Sequence, residues 1–257
     1  MKRSIDFSKY SSIKIGSSIE VQIIDELISL SKGSIIIGGA NNLLVSNNPP
    51  PLYMLSKKFS YIKVEDDKLI IGGATKSGVI NSFCKKHNIG SFEYLSKLPG
   101  TLGGLIAMNA GMKDDEIFNS LLEIKTENGT VKKEDIEHGY RFAKLDAIVY
   151  EATFKIQEPY SMEKIELFSN MRKNQPKEAS AGSAFKNPEG DYAGRLIEEV
   201  GLKGYQKGRA KFSEIHSNFL VNLGGATFDD ALFLIDEARK RVEDKFGITL
   251  ENEVQII

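Results

Sequence analysis

The sequence predicts an α+β fold built in two parts, and three observations lead to it. β-branched runs closed by paired glycines fill the first half: Ser34-Ile35-Ile36-Ile37 before Gly38-Gly39, and Lys68-Leu69-Ile70-Ile71 before Gly72-Gly73. Such runs are strands entering tight turns. Helical spacing dominates the part that follows Glu158-Pro159. At 257 residues the chain also exceeds the usual size of one compact domain.

After the first strand, Asn47-Asn48-Pro49-Pro50-Pro51 forbids regular structure and marks a subdomain junction near residues 47–56. From Ser77 to Asn88 the apolar residues Val79, Ile80 and Phe83 share one helical face, with Lys85 and Lys86 opposite. Strands are expected over Leu121 to Lys125 and Ala147 to Phe154, with Glu127-Asn128-Gly129-Thr130 as the turn of a hairpin between them. Helices are expected over Met162 to Lys173, Tyr192 to Val200 and Phe228 to Phe246. The last places Leu232, Leu234, Ile235, Ala238 and Val242 at apolar positions and Asp229 and Asp230 at its start, where the helix dipole favours anions. A final strand over Thr249 to Ile257 alternates Leu250, Val254 and Ile256 with polar residues. A domain boundary near residue 158 would separate 1–157 from 158–257.

Hydrophobic residues at 41% and charged residues at 27% describe an ordinary globular chain and exclude long disordered or fibrous stretches. The 34 basic and 35 acidic residues leave a net charge of −1, so no bulk field points towards nucleic acid or an anionic membrane, and any phosphate is bound locally. Cys84 is the only cysteine, which excludes an internal disulfide and a thiolate metal cluster and fits a reducing cytoplasm. No run reaches the roughly 20 apolar residues of a membrane span, and the first residues lack the apolar stretch of a signal peptide. His87, His138 and His216 are scattered without metal-ligand spacing, so no metal site is expected.

Two glycine-rich segments are built to approach a phosphate-bearing ligand. The first, Gly38-Gly39-Ala40-Asn41-Asn42-Leu43, follows a strand directly, and successive backbone N–H groups in such a turn form an anion-binding nest. It is neither G-x-G-x-x-G nor G-x-x-x-x-G-K-[ST]. A tight turn with left-handed asparagines would explain it equally well. The second, Pro99-Gly100-Thr101-Leu102-Gly103-Gly104 continuing to Asn109-Ala110-Gly111, interrupts apolar residues with small ones. Each glycine inside regular structure costs roughly 0.5–1 kcal/mol relative to alanine. Contact with a flat cofactor and its pyrophosphate would offset that cost, and close helix packing is the alternative.

With these segments in view the chain resembles the UDP-N-acetylenolpyruvoylglucosamine reductases, the MurB family. The likeness runs through Arg172-Lys173-Asn174-Gln175-Pro176, Ala181-Gly182-Ser183-Ala184-Phe185-Lys186-Asn187-Pro188, Ala193-Gly194-Arg195-Leu196-Ile197-Glu198, Ser213-Glu214-Ile215-His216-Ser217-Asn218-Phe219 and Leu250-Glu251-Asn252-Glu253-Val254. The resemblance implies a two-part FAD-binding region of the vanillyl-alcohol-oxidase type over 1–157. A smaller C-terminal α/β substrate-binding domain would follow, its terminal strand returning to the flavin. It further implies a cytoplasmic enzyme that spends NADPH to reduce an enolpyruvyl sugar nucleotide in peptidoglycan precursor synthesis, with neither nucleic acid nor membrane as partner. A monomer is expected.

Reducing an enolpyruvyl ether needs hydride at one alkene carbon, a proton at the other, and a cation for the developing enolate. The resemblance makes Ser183 the proton donor, Arg141 the catalytic arginine and Glu253 the catalytic glutamate. Ser183 lacks the G-x-S-x-G frame of a hydrolase nucleophile, so acyl transfer is not indicated; a turn or cap hydroxyl is the alternative. The planar fork of arginine suits a carboxylate, although a surface ion pair is its usual fate. Glu251 and Glu253 share strand parity, so periodicity leaves both open, and the motif selects Glu253. Lys186 and Asn187 stand where the family binds substrate, Arg172 and Gln175 order the loop or contact the nucleotide, and Tyr140 lines the site.

The family usually carries Gly-Ser where this chain has Ala40-Asn41, and a serine where Ala143 stands. Only 41 residues separate Arg141 from Ser183, which leaves little room for the tyrosine loop of the longer subclass and points to the shorter type II-like one. Two rivals are a flavin oxidoreductase with a different substrate and a non-catalytic nucleotide-binding module that kept the glycine loops.

Overall fold

Phe168 is fully buried and meets Tyr94 edge-on, with 6.4 Å between ring centroids and 82° between planes. That contact decides where the chain divides. The computed structural model describes residues 1–257, which form two units. The first comprises Met1–Arg3, Val21–Gly39 and Pro51–Lys173; the second comprises Ser4–Glu20, Ala40–Pro50 and Asn174–Ile257. The boundary therefore lies after Lys173 and not near residue 158. The helix carrying Phe168 is an integral part of the first core. The polyproline run 47–51 has no regular structure and contains the Pro50/Pro51 division.

The helices are α1 (Phe7–Tyr10), α2 (Ser77–Lys86), α3 (Leu102–Ala107), α4 (Met162–Met171), α5 (Ala193–Glu199) and α6 (Phe228–Phe246). None is long and apolar enough to cross a membrane.

Besides short hairpins at 111–116 and 138–143, the first unit holds two larger sheets. In one, Val21–Ile24 and Ile35–Ile37 run parallel to Leu52–Leu55 on either side. The other has five antiparallel strands in the order Gly129–Lys132, Leu121–Thr126, Glu151–Lys155, Lys68–Gly72, Ile62–Glu65. α2 buries Ile80 and Cys84 in the core of this unit, together with Leu69, Ile71 and Phe154 from the strands. The turn at Glu127-Asn128 closes Leu121–Thr126 onto Gly129–Lys132, not onto the later strand. Thr126 Oγ1 accepts the Asn128 N–H, and Gly129 takes the positive φ of +111° that so tight a reversal needs. The later strand begins at Glu151, because the Ile148 N–H is committed to the Glu127 carboxylate.

In the second unit Ala179–Ser183, Phe219–Asn222, Ala210–Phe212 and Gln206–Lys207 form an antiparallel sheet in that order. α5 and α6 bury Leu196, Ile197, Leu234, Ile235 and Ala238 in one core with Phe185 and Phe212. α6 has the bounds the sequence predicts. A capping box joins Thr227 and Asp230 at its start, and Gly247 ends it in the left-handed region. The strand expected over 249–257 is confined to Gln255–Ile256, parallel to Leu43–Leu44. The residues before it are instead held against the segment after Ser183 by a bridge between Phe185 and Asn252. Asn222 draws the early segment into the same unit, donating to the carbonyls of Ile13 and Lys14.

Replacing Phe168 by alanine empties a packed aromatic site, and a loss of about 3–5 kcal/mol in urea-unfolding stability is expected. A loss below about 1 kcal/mol would place α4 outside the first core.

Candidate active site

Ser183 ends the strand Ala179–Ser183, and the register against Phe219–Asn222 shifts between Ser180 and Ser183. Gly182, inside that irregularity, has φ +83°, and a Cβ there would meet nothing within 4 Å. The glycine is required by backbone conformation rather than by space. The bulge re-aims the next side chain, leaving Ser183 half-buried with a hydroxyl that makes no hydrogen bond to the protein.

The residue after Ser183 carries the clamp. The Ala184 carbonyl accepts the N–H groups of Glu253 (3.0 Å) and Val254 (3.3 Å), and the Ala184 N–H donates to the Asn218 carbonyl (2.7 Å). Two residues far apart in sequence, Ser183 and Glu253, are thereby brought to one place. The two glutamates that strand parity leaves open, of which the motif selects Glu253, differ in their surroundings. Glu251 is largely exposed and ion-pairs with Lys186 at 2.7 Å, whereas Glu253 is half-buried and tied through its backbone. Lys186 therefore holds Glu251 in addition to any ligand. The side-chain oxygen of Asn187 accepts the Ala193 N–H at the start of α5, giving it a capping duty. Gln175 is half-buried in the bend that begins the C-terminal stretch of this unit.

The first glycine loop contributes Ala40 to Leu43 to the same unit. Asn42 Nδ2 donates to the Glu253 carbonyl at 2.9 Å, the Gln255 N–H donates to the Asn42 carbonyl, and Leu43 lies opposite Gln255. The returning terminus thus runs beside the glycine loop. Ala40 adopts φ +50° although it is not glycine.

In the first unit Tyr140 and Arg141 are the two loop residues of a hairpin between His138–Gly139 and Phe142–Ala143. Arg141 has φ +62°, a left-handed conformation costing roughly 1–2 kcal/mol for a residue with a Cβ. Its guanidinium lies 5.2 Å from the Tyr140 ring centroid. Arg172, at the C-terminal end of α4, has its pKa lowered by burial and then by the neighbouring Arg141. Two like charges set side by side in a partly buried place fit an anion between them.

Asn109 braces the hairpin. It is buried at φ +38°, its amide donates to Glu116 Oε2 (2.8 Å) and the Gly139 carbonyl (3.1 Å), and its oxygen accepts the Phe118 N–H (3.3 Å). Structural duty accounts for Asn109, which the sequence reading gives to the cofactor. The same holds for Gly111, whose Cβ would overlap the Asp115 carbonyl, and for Gly38, whose Cβ would overlap Thr101 Oγ1. Ala110 spends both backbone groups, on Leu105 and Ile117.

The rest of the second segment behaves differently. Pro99 is exposed, Gly100 takes φ +157°, and Thr101 precedes α3, whose first N–H groups donate to Thr75 and Gly73. A Cβ at Gly103 or Gly104 would meet only ordinary contacts of 3.5–3.9 Å, and Gly104 is exposed. Protein packing does not demand either glycine. Glycine in a helix interior costs about 1 kcal/mol relative to alanine, and the strip is open enough to accept a flat group.

Sequence reasoning missed Asn218. It is buried, accepts from the Phe185 N–H (3.0 Å) and donates to the Phe185 carbonyl (2.7 Å), holding the backbone just beyond Ser183. Only its place in the Ser213 to Phe219 motif signals it. His216 packs on Phe219, with 4.9 Å between ring centroids, and against Gly194, and burial lowers its pKa.

Residues 175–257 match the C-terminal domain model of UDP-N-acetylenolpyruvoylglucosamine reductase. The chain is 48% identical to a protein of that name from Campylobacter jejuni, covering 98% of this chain and 99% of the relative. To another from Helicobacter hepaticus it is 49% identical over 98% of each. It superposes on the crystal structure of UDP-N-acetylenolpyruvylglucosamine reductase from Thermus caldophilus with a TM-score of 0.83 at 29% identity, covering 100% of this chain and 98% of that one.

Gly182→Ala forces a Cβ into the left-handed region, so a stability loss of roughly 1–2 kcal/mol in thermal unfolding is expected. Turnover should fall further than that loss explains. Unchanged turnover would mean the bulge does not aim Ser183.

Proposed function

The chain belongs to the UDP-N-acetylenolpyruvoylglucosamine reductase family and is an FAD-dependent oxidoreductase; from that premise we propose that it reduces UDP-N-acetylglucosamine enolpyruvate to UDP-N-acetylmuramate. NADPH is the reductant, the compartment is the cytoplasm, and the product enters peptidoglycan synthesis. The observation that carries this reading is the doubly used Ala184 carbonyl, which ties the Glu253 backbone to the residue that follows the half-buried Ser183.

A bound FAD would supply the redox chemistry, carrying two electrons from NADPH as the hydride that one alkene carbon needs. The chain's own residues do the remaining work. In the first unit, Arg141 and Arg172 hold the carboxylate conjugated to the double bond, whose charge grows as the π bond breaks. Their mutual repulsion is relieved when the anion is present. Tyr140, half of whose surface is exposed beside Arg141, lines that position. In the second unit, the Ser183 hydroxyl gives its proton to the other alkene carbon and is reprotonated from solvent, with Glu253 in the catalytic role the family assigns it. Lys186, Asn187 and Gln175 take the nucleotide portion. The residues proposed for the cofactor are Pro99, Gly100, Thr101, Gly103 and Gly104 of the first unit, and Ala40, Asn41 and Asn42 of the second.

Anaerobic mixing with NADPH and then with the enolpyruvyl sugar nucleotide, followed at the flavin band, tests the reading. The wild-type flavin should bleach and then recover; no recovery on adding substrate would sink the assignment. Ser183→Ala should keep the bleaching step and lose about 10²–10⁴-fold in the recovery step, whereas equal loss in both steps would contradict proton donation. Arg141→Gly places glycine at a position with φ +62°. Thermal stability should hold or rise while recovery of the flavin colour is lost; a clear drop in stability would show the arginine to be a structural brace.

A further inference from the structure

We propose that Ser12 is a positioning residue for the cofactor's pyrophosphate, acting through Asn41; the inference rests on the flavin reading given above. Ser12 lies just after α1 and grips two consecutive residues of the first glycine loop. Its N–H donates to the Ala40 carbonyl at 3.1 Å, and its hydroxyl donates to Asn41 Oδ1 at 2.5 Å.

An asparagine amide offers one acceptor and a two-proton donor. With Oδ1 engaged by the Ser12 hydroxyl, the Nδ2 end points away from Ser12, and it has no acceptor in the protein. The neighbouring Asn42 is used oppositely, its Nδ2 bonded to the Glu253 carbonyl. Of two adjacent asparagines, one braces the returning terminus and the other presents its donors from a half-buried loop position. Ala40, just before it, is held at φ +50° with only 3% of its surface exposed. For alanine that conformation costs roughly 1–2 kcal/mol, and the Ser12 N–H bond to its carbonyl fixes it. A left-handed residue in this setting turns successive N–H groups to one side, the geometry of an anion nest. The loop contains no lysine or arginine, so neutral donors must supply its phosphate contacts. An Asn41 amide oriented by Ser12 is such a donor.

The test separates the phosphate from the ring system. Apoprotein is titrated with FAD and with riboflavin, which lacks phosphate, following quenching of flavin fluorescence. Ser12→Ala should weaken FAD binding about 10- to 100-fold, the range for one hydrogen bond to a charged acceptor, and leave riboflavin unchanged. Ser12→Thr should restore FAD binding. Asn41→Asp keeps the acceptor for Ser12 and replaces the donor by a carboxylate, so it should lose more FAD affinity than Ser12→Ala, again sparing riboflavin. It also carries the test if Ser12→Ala does not fold. Equal weakening of both ligands, or no weakening of FAD by either variant, would overturn the inference. Wild-type apoprotein that binds neither ligand would overturn the flavin reading itself.

Discussion

A carbonyl oxygen has two lone pairs, and the second unit is organised around one that uses both. Ala184 accepts from Glu253 and Val254 while its N–H donates to Asn218. The C-terminal segment is fixed by this node, and the segment in turn fixes the glycine loop through Asn42, Leu43 and Leu44. One continuous path of backbone bonds therefore runs from the residue beside Ser183 to the loop proposed to meet the pyrophosphate. Asn218, buried and bonded to both backbone groups of Phe185, keeps the node from rotating. Buried donors and acceptors left unpaired would each cost about 1–3 kcal/mol, so the path is held as a set.

Local conformation at the candidate residues is strained in a consistent way. Ala40 and Arg141 occupy the left-handed region without being glycine, and Gly182 occupies it before Ser183. Strain of this kind persists only where surrounding bonds over-determine it. Around Arg141 the hairpin pairing and the Asn109 amide do so; around Ala40, Ser12 does. The first unit offers fixed cations and an open glycine strip on α3. The second offers a hydroxyl, a carboxylate and oriented amides. The proposed reduction of a conjugated double bond would call on such parts for charge stabilisation, for binding a flat ring that delivers hydride, and for a proton.

The extents of α2 and α6 were legible in the sequence because caps and 3.6-residue spacing are local. The motif around Glu253 and the small residues at Gly103-Gly104 were readable as patterns, and the roles given to them are proposals. What was not legible depended on partners distant in sequence. The turn at Glu127-Asn128 was readable, but which strand it closed onto was decided by sheet order. α4 looked like the start of a second domain until Phe168 met Tyr94. Asn109 and Gly111 carried the composition of a ligand loop and spend it on a hairpin and a close backbone approach. Nothing near Asn218 in the chain announces that its partner is Phe185.

Ser183 and Glu253 are proposed to act as one unit, because a single backbone node ties the segments that carry them. The direct test is a double-mutant cycle on the rate at which substrate restores the flavin colour, using Ser183→Ala, Glu253→Gln and the pair together. Residues that work as a unit are strongly non-additive, so the double variant should be about as slow as the slower single one. A double variant slowed by the full product of the two single effects would mean that they act independently, and would contradict the claim.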